Sequence, residues 1–213
     1  MRTPGEPNAV DSAVEVAALR SDNLPSAARA LAGAFHSDPM MRYLMPDDAR
    51  RARALPLYFG SVLRVARREG VIEVAGRGGA EAAIVAMPPG TYPVPLAPQL
   101  REFRTFLAFG WTATLRNFRD LPPIERAHPA FPFWYIMYLG VSPAVQRGGL
   151  GGALLSRAIE RADAQHLPVY LVTMKPENLA YYARFGFAVR QELRLGKSGP
   201  ATWTLLRETK GAG

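Results

Sequence analysis

A chain of 213 residues with 48% apolar content can bury one sizeable core, while two independent domains would be a squeeze. No run of about eighteen apolar residues is present, which excludes a membrane-spanning helix. The absence of cysteine excludes disulfides, thiolate metal sites and a cysteine acyl-enzyme. A net charge of +8 would permit nucleic-acid binding. The basic residues are mostly dispersed single arginines, however, and the densest cluster, Arg50-Arg51-x-Arg53, falls on an expected helix face, so a solvated face is favoured over a nucleic-acid patch.

Residues 1–12 carry proline, glycine and charge without an apolar h-region, so they read as a disordered lead-in and not a secretory signal; a cytoplasmic protein is expected. Residues 13–210 read as one domain. Val14–Leu19 alternates as a first strand. Asp22-Asn23-Leu24-Pro25 supplies a cap and an early proline for a helix to about Phe35, which Asp38-Pro39 breaks. Met40-Met41-x-Tyr43-Leu44-Met45 reads as an apolar connection, either packed under a loop or forming a pocket wall. Pro46-Asp47-Asp48 begins a second helix to about Arg68, with Leu55, Tyr58, Phe59, Val62, Leu63 and Ala66 at helical spacing. Pro56 should kink or divide it. Val71–Val74 and Glu81–Met87 flank Gly76–Gly79 as a hairpin. Residues 91–130 read as a largely helical insertion: a loop with Pro93, Pro95 and Pro98, then an aromatic-rich helix or pair of helices from Leu100 to Phe118. These either pack on the sheet or roof a pocket.

Trp134–Val141 is an almost unbroken apolar and aromatic run, suited to a strand buried on both faces. Ser142-Pro143 ends it. Gln146-Arg147-Gly148-Gly149-Leu150-Gly151-Gly152 then runs into a helix over Ala153–Gln165. Leu154, Leu155, Ala158, Ile159 and Ala162 form its apolar face, with Arg157, Glu160 and Arg161 opposite. A glycine-rich turn opening a helix aims unpaired N–H groups and the positive dipole end outward, which suits a pyrophosphate; a tight strand-to-helix connection would use the same glycines. The spacing is neither Gly-x-Gly-x-x-Gly nor Gly-Lys-Ser/Thr. A second apolar strand, Val169–Val172, precedes Lys175-Pro176-Glu177-Asn178 and a short helix. Strands Ala188–Leu195 and Ala201–Leu206 close the chain. The pattern gives an α/β sandwich around one mixed, mostly antiparallel sheet of about seven strands flanked by helices. His36, His128 and His166 are scattered, so no metal site is expected.

Gln146-x-x-Gly149-x-Gly151 is similar to the coenzyme A signature of GNAT-type N-acetyltransferases. Asn178-x-x-x-Tyr182-x-x-x-Gly186-Phe187 is similar to the ending that accompanies it. Ala34-Phe35, Gly140-Val141-Ser142-Pro143 and Gly199-Pro200-x-Thr202-Trp203 extend the likeness, which is dense from Trp134 onward and nearest to puromycin N-acetyltransferase-like members. The resemblance implies the same fold, acetyl-CoA as cosubstrate, and direct transfer of acetyl to the primary amine of a small molecule. It implies that the strand ending in Val141 separates from the strand at Val169, with the pantetheine arm in the gap, and that amides around Leu139, Gly140 and Val141 bond to that arm. Those of the turn (Gln146, Arg147, Gly148, Gly149, Leu150, Gly151, Gly152) would hold the pyrophosphate. Asn178 would meet the arm or fix the local turn, and Tyr182 would give a proton to the leaving thiolate. A core tyrosine packing the last helix is the alternative for Tyr182.

The base is left open. Trp134–Val141 has no Asp or Glu, and Val172 stands where the puromycin-like relatives have a glutamate. Water could relay the proton, or Asp38, His128 or Tyr138 could take it. Tyr43, Tyr58, Trp111, Phe131, Phe133, Tyr135 and Tyr138 tilt the acceptor towards a small apolar or aromatic amine and away from a polycation, which would want an acidic wall. Two further readings stand beside this one: a non-catalytic acyl-CoA-binding module, and a protein N-acetyltransferase with an open groove. A homodimer stays open.

Overall fold

A computed structural model describes residues 14–76, 79–92 and 109–209. The expected lead-in, the Pro93–Pro98 loop and the beginning of the Leu100–Phe118 helix lie outside them. Among the described residues the order is β1 (Val16–Ala18), α1 (Leu24–Phe35), α2 (Pro39–Leu44), α3 (Asp48–Ala66), β2 (Val71–Ala75) and β3 (Ala82–Met87). Next come α4 (Trp111–Asp120), α5 (Pro122–Arg126) and β4 (Trp134–Val141), then a 3-10 turn (Pro143–Val145). The chain continues through α6 (Leu150–Asp163), β5 (Val169–Thr173), α7 (Glu177–Ala183), β6 (Ala188–Arg194) and β7 (Ala201–Arg207).

The strands form one open seven-stranded sheet in the order β1-β2-β3-β4-β5-β7-β6. Of its described pairings only β4–β5 is parallel. This is the expected mixed, mostly antiparallel sandwich. Side-chain alternation divides the core between two faces. On one, α1 and α3 bury Leu31, Leu55, Phe59 and Leu63 against Ala83, Val85, Tyr135 and Tyr170. On the other, α6 buries Leu154, Leu155 and Ala158 against Ile84, Ile136, Leu171 and Leu205. Every residue of β3 is buried, which is why its sequence, Ala-Ala-Ile-Val-Ala-Met, shows no polar alternation.

Four local expectations need correction. The Met40–Met45 stretch is mostly helix. Asp38 stays extended, its carboxylate accepts the Met40 N–H at 2.9 Å, and Pro39 occupies the first helical turn, so one dipeptide ends α1 and starts α2. Helix α3 continues through Pro56, so the proline does not divide it. Leu55 and Phe59, both wholly buried, anchor it on either side, and that burial offsets a proline cost of about 3 kcal/mol. Finally, Arg157 and Arg161 do not simply face solvent. Both pair with the buried carboxylate of Glu73 on β2, Arg157 Nε at 2.7 Å and Arg161 Nη2 at 3.0 Å, and so pin α6 to the sheet. The first strand is also shorter than expected, spanning Val16–Ala18 at the sheet edge. No helix among the described residues is long and apolar enough to cross a membrane.

Candidate active site

Strands β4 and β5 pair only through Trp134–Val169, Tyr135–Tyr170 and Ile136–Leu171. Beyond Ile136 they part, although β4 continues to Val141. The break coincides with a bulge in β4: Val85 faces Tyr138 while the next residue, Ala86, faces Ile136, which leaves Met137 without a partner on β3. A bulge adds twist and bends its strand, here carrying β4 away from β5. The Ser142 N–H donates to Glu81 O at 2.8 Å. By two-residue alternation Gly140 also faces β3, whereas the N–H groups of Leu139 and Val141 face the gap. The Gln146 side-chain amide donates to Val141 O at 3.2 Å, closing the end of that edge. Gly140 is explained by packing: a Cβ there would lie 2.9 Å from Ala34 Cβ and from Leu31 Cδ2, so the bare residue lets α1 lie close on the strand.

The turn after β4 is open to solvent. Residues Gln146 to Gly149 are exposed, and Arg147 and Gly149 take left-handed φ values of 68° and 81°. No side chain caps α6, so the N–H groups of its first turn point outward with the positive end of the helix dipole. A Cβ on Gly151 would approach Val141 Cγ2 at 3.2 Å and Tyr181 Oη at 3.4 Å. The glycine thus lets the helix begin against the end of β4. The geometry suits a phosphate group.

A cavity of about 190 Å³ occupies the splay. Its floor is β4 from Tyr135 to Leu139, its walls come from α2 and α5, and α7 contributes Asn178 and Tyr182. Asn178 Nδ2 donates to Thr173 Oγ1 at 3.2 Å, and the same oxygen receives the Lys175 N–H at 3.3 Å. Asn178 therefore fixes the turn leaving β5. Tyr182 is 8% exposed, its ring edge-on to Phe187 at 5.7 Å. Its hydroxyl makes no hydrogen bond to the described residues, and the residue lines the cavity. Burial, followed by Tyr181 and Asp38, pushes its pKa above the ordinary tyrosine range, so it holds its proton. The segment behind it is clamped by Arg207, which donates to Phe185 O at 3.1 Å and pairs with Asp163 at 2.6 Å.

Of the sequence-derived base candidates, Asp38 lines this cavity. Burial raises its pKa against the opposing effects of Lys175 and the Met40 and Met41 amides. Tyr138 also lines it, but its hydroxyl shares a 2.5 Å hydrogen bond with Tyr58 and burial holds its proton firmly, which suits it poorly to accept one. His128 is turned away, its Nδ1 2.9 Å from Glu125 O and its Nε2 buried without a partner among the described residues. Val172 lines the cavity, and its side chain offers no proton acceptor. Of the seven aromatics thought to shape an acceptor pocket, Tyr135 and Tyr138 do so; Trp111 and Phe131 are 75% and 42% exposed. Helix α4 instead packs beside α2, through Arg116 to Tyr43 O at 2.7 Å and Tyr43 Oη to Asp120 at 2.9 Å.

Two lining residues escaped sequence reasoning. Glu125, on α5, accepts a hydrogen bond from Tyr92 at 2.7 Å, and both line the cavity. Pro122-Pro123 followed by an acid in the first turn is the signal that could have marked this short helix. No group of three or more potential metal ligands occurs among the described residues.

Residues 111–187 match the family model of the acetyltransferase (GNAT) family. The fold is that of the GNAT acetyltransferases. A Corynebacterium glutamicum protein described as histone acetyltransferase HPA2 and related acetyltransferase is 22% identical, with a TM-score of 0.71 over 94% of this chain and 99% of that one. The Drosophila melanogaster polyamine N-acetyltransferase, which forms N-acetylagmatine, is 18% identical, with a TM-score of 0.52 over 92% and 99% of the two chains. The Escherichia coli ribosomal-protein-S18-alanine N-acetyltransferase is 14% identical, with a TM-score of 0.55 over 94% and 96%. The family model covers residues 111–187 alone, and the proteins of similar fold include enzymes named for small-molecule and for protein acceptors.

Proposed function

We propose that this chain is an acetyl-CoA-dependent N-acetyltransferase that moves an acetyl group directly to the primary amine of a small molecule. The observation that carries this is the bare β4 edge at Leu139 and Val141, with the Tyr182 hydroxyl in the same cleft and the uncapped glycine turn at the strand's end. Amides from Arg147 through Gly152 hold the pyrophosphate, and those of Leu139 and Val141 hold the pantetheine arm and polarise the thioester carbonyl. Asn178 keeps the opposite wall in place. The amine nitrogen attacks the carbonyl carbon and sheds a proton to water, the C–S bond breaks, and Tyr182 gives its proton to the leaving sulfur and regains one from water.

The enclosing walls of α2 and α5 favour a small acceptor over a protein segment. The polyamine N-acetyltransferase among the similar folds is consistent with that. The likeness to puromycin N-acetyltransferase-like sequences adds aromatic amines to the range. The test is thiol release from acetyl-CoA over a panel of aliphatic, aromatic and cationic amines. Turnover with at least one small amine is the expected result. Tight acetyl-CoA binding with no turnover on any amine would instead favour a non-catalytic acyl-CoA-binding module.

A further inference from the structure

The acceptor side of the cavity holds a carboxylate that the transfer chemistry leaves unused. Glu125 Oε1 accepts the Tyr92 hydroxyl at 2.7 Å, and Tyr92 stands edge-on to Tyr135 with ring centres 4.8 Å apart. Glu125 Oε2 lies 3.5 Å from His128 Nδ1, but that nitrogen is already 2.9 Å from the Glu125 main-chain oxygen. The imidazole is itself sandwiched parallel to Phe133, at an interplanar angle of 9°. No lysine or arginine among the described residues pairs with Glu125. A part-buried carboxylate, aimed by a tyrosine hydroxyl and flanked by aromatic rings, is a seat for an organic cation: the oxygen accepts N–H bonds and the ring faces attract the charge.

The cavity's other carboxylate lies at a different station. Asp38 acts electrostatically on Tyr182 and is itself opposed by Lys175. Glu125 acts instead on Tyr92, Tyr135 and Tyr170. Tyr182 packs in the core on the α6 face, whereas Tyr92, which holds Glu125, packs against Tyr135 in the core on the α1 and α3 face; the proton donor thus lies at one end of the cavity, and at the other lies a carboxylate with no ammonium or guanidinium partner among the described residues.

We infer that the acceptor is an amine bearing a second, cationic nitrogen, which Glu125 and Tyr92 seat while the reacting nitrogen lies at the Tyr182 end. This rests on the acetyltransferase function proposed above and names its substrate class. It also reverses the tilt towards an apolar amine, because the acidic wall that a cation requires is assembled from α5 and not from the strands.

The test compares 1,4-diaminobutane with butylamine in the full chain, by thiol release and by calorimetric titration, for wild type, Glu125→Gln and Tyr92→Phe. A charge-assisted seat predicts a diamine kcat/KM about 10- to 100-fold above the monoamine's, expressed in KM. Glu125→Gln should bring that ratio close to one, and Tyr92→Phe should reduce it in part. Equal values for the two amines in the wild type overturn the inference. So does a Glu125→Gln loss that falls equally on both, which would place Glu125 at the reacting nitrogen. Should acetyl-CoA bind while no amine releases thiol, the acetyltransferase function itself fails and binding alone decides the seat. Tighter diamine binding that Glu125→Gln abolishes upholds it; equal binding of the two amines overturns it.

Discussion

The proton-donor role proposed for Tyr182 suits a side chain that is buried and makes no hydrogen bond among the described residues. A hydroxyl in that setting keeps its proton at neutral pH yet has no internal acceptor to compete with a leaving thiolate. Tyr182→Phe should therefore lower kcat by about 10²- to 10⁴-fold while leaving the calorimetric affinity for acetyl-CoA unchanged; retention of full activity would remove the acid role. Its raised pKa sets the sign of the pH dependence. The donor is present below that pKa and lost above it, so any alkaline fall in kcat due to Tyr182 should lie above the ordinary tyrosine value of about 10. Gly140 tests packing at the same scale. A methyl group there would meet Ala34 and Leu31 at 2.9 Å, so Gly140→Ala should cost about 1–3 kcal/mol in urea denaturation. Tyr182, Asn178 and the glycine turn could be singled out in the sequence because each lies in a local pattern of fixed offsets, and Asn178 and Tyr182 do line the cavity. Glu125 could not be, because its meaning comes from Tyr92 and Tyr135, residues that only the fold brings to it.

The elements show a similar division. Helix α6 and strands β4 and β5 were readable from apolar period and the proline and glycine stops. Helix α2 was missed because Asp38-Pro39 was read as a terminator alone, although the same pair caps a new helix. The partnership of α6 with β2 was hidden too. Glu73 occupies a strand whose neighbours are apolar, and nothing nearby in the chain announces that Arg157 and Arg161 will reach it. Glu73 is only 3% exposed, so removing both arginines would strand a buried charge. Arg157→Ala with Arg161→Ala should then destabilise the fold by about 3–5 kcal/mol. Glu73→Gln should cost less, since the arginine side chains are 51% and 28% exposed and can turn to water. Thermal melting of the two variants would order them; a reversed order would mean that the arginines contribute through packing instead of charge.

At the scale of the molecule, a seven-stranded sheet with a core on each face opens beyond Ile136, where its parallel pair parts. The fold class was legible because strand and helix periods alternate cleanly along the chain. That the strand ending in Val141 parts from the strand at Val169 is what the resemblance implied; the residue at which they part was not legible, because it coincides with a bulge at Met137 that leaves no mark in an unbroken apolar run. A ligand that fills the opening binds the folded chain alone. Acetyl-CoA at a free concentration of about 100 Kd should therefore stabilise it by about 2.7 kcal/mol, a rise of several degrees in Tm. The net charge of +8 should also draw in an anionic ligand, so the association rate constant for acetyl-CoA should fall as salt is raised; stopped-flow mixing would measure it.

The most direct test follows the backbone amides themselves during titration of acetyl-CoA into ¹⁵N-labelled protein. The account predicts that the amide resonances of Leu139, Val141 and Gly149 to Gly152 shift together and saturably, while that of Gly140, turned towards β3, moves far less. Saturable binding that leaves the Leu139, Val141 and turn resonances unmoved would contradict it.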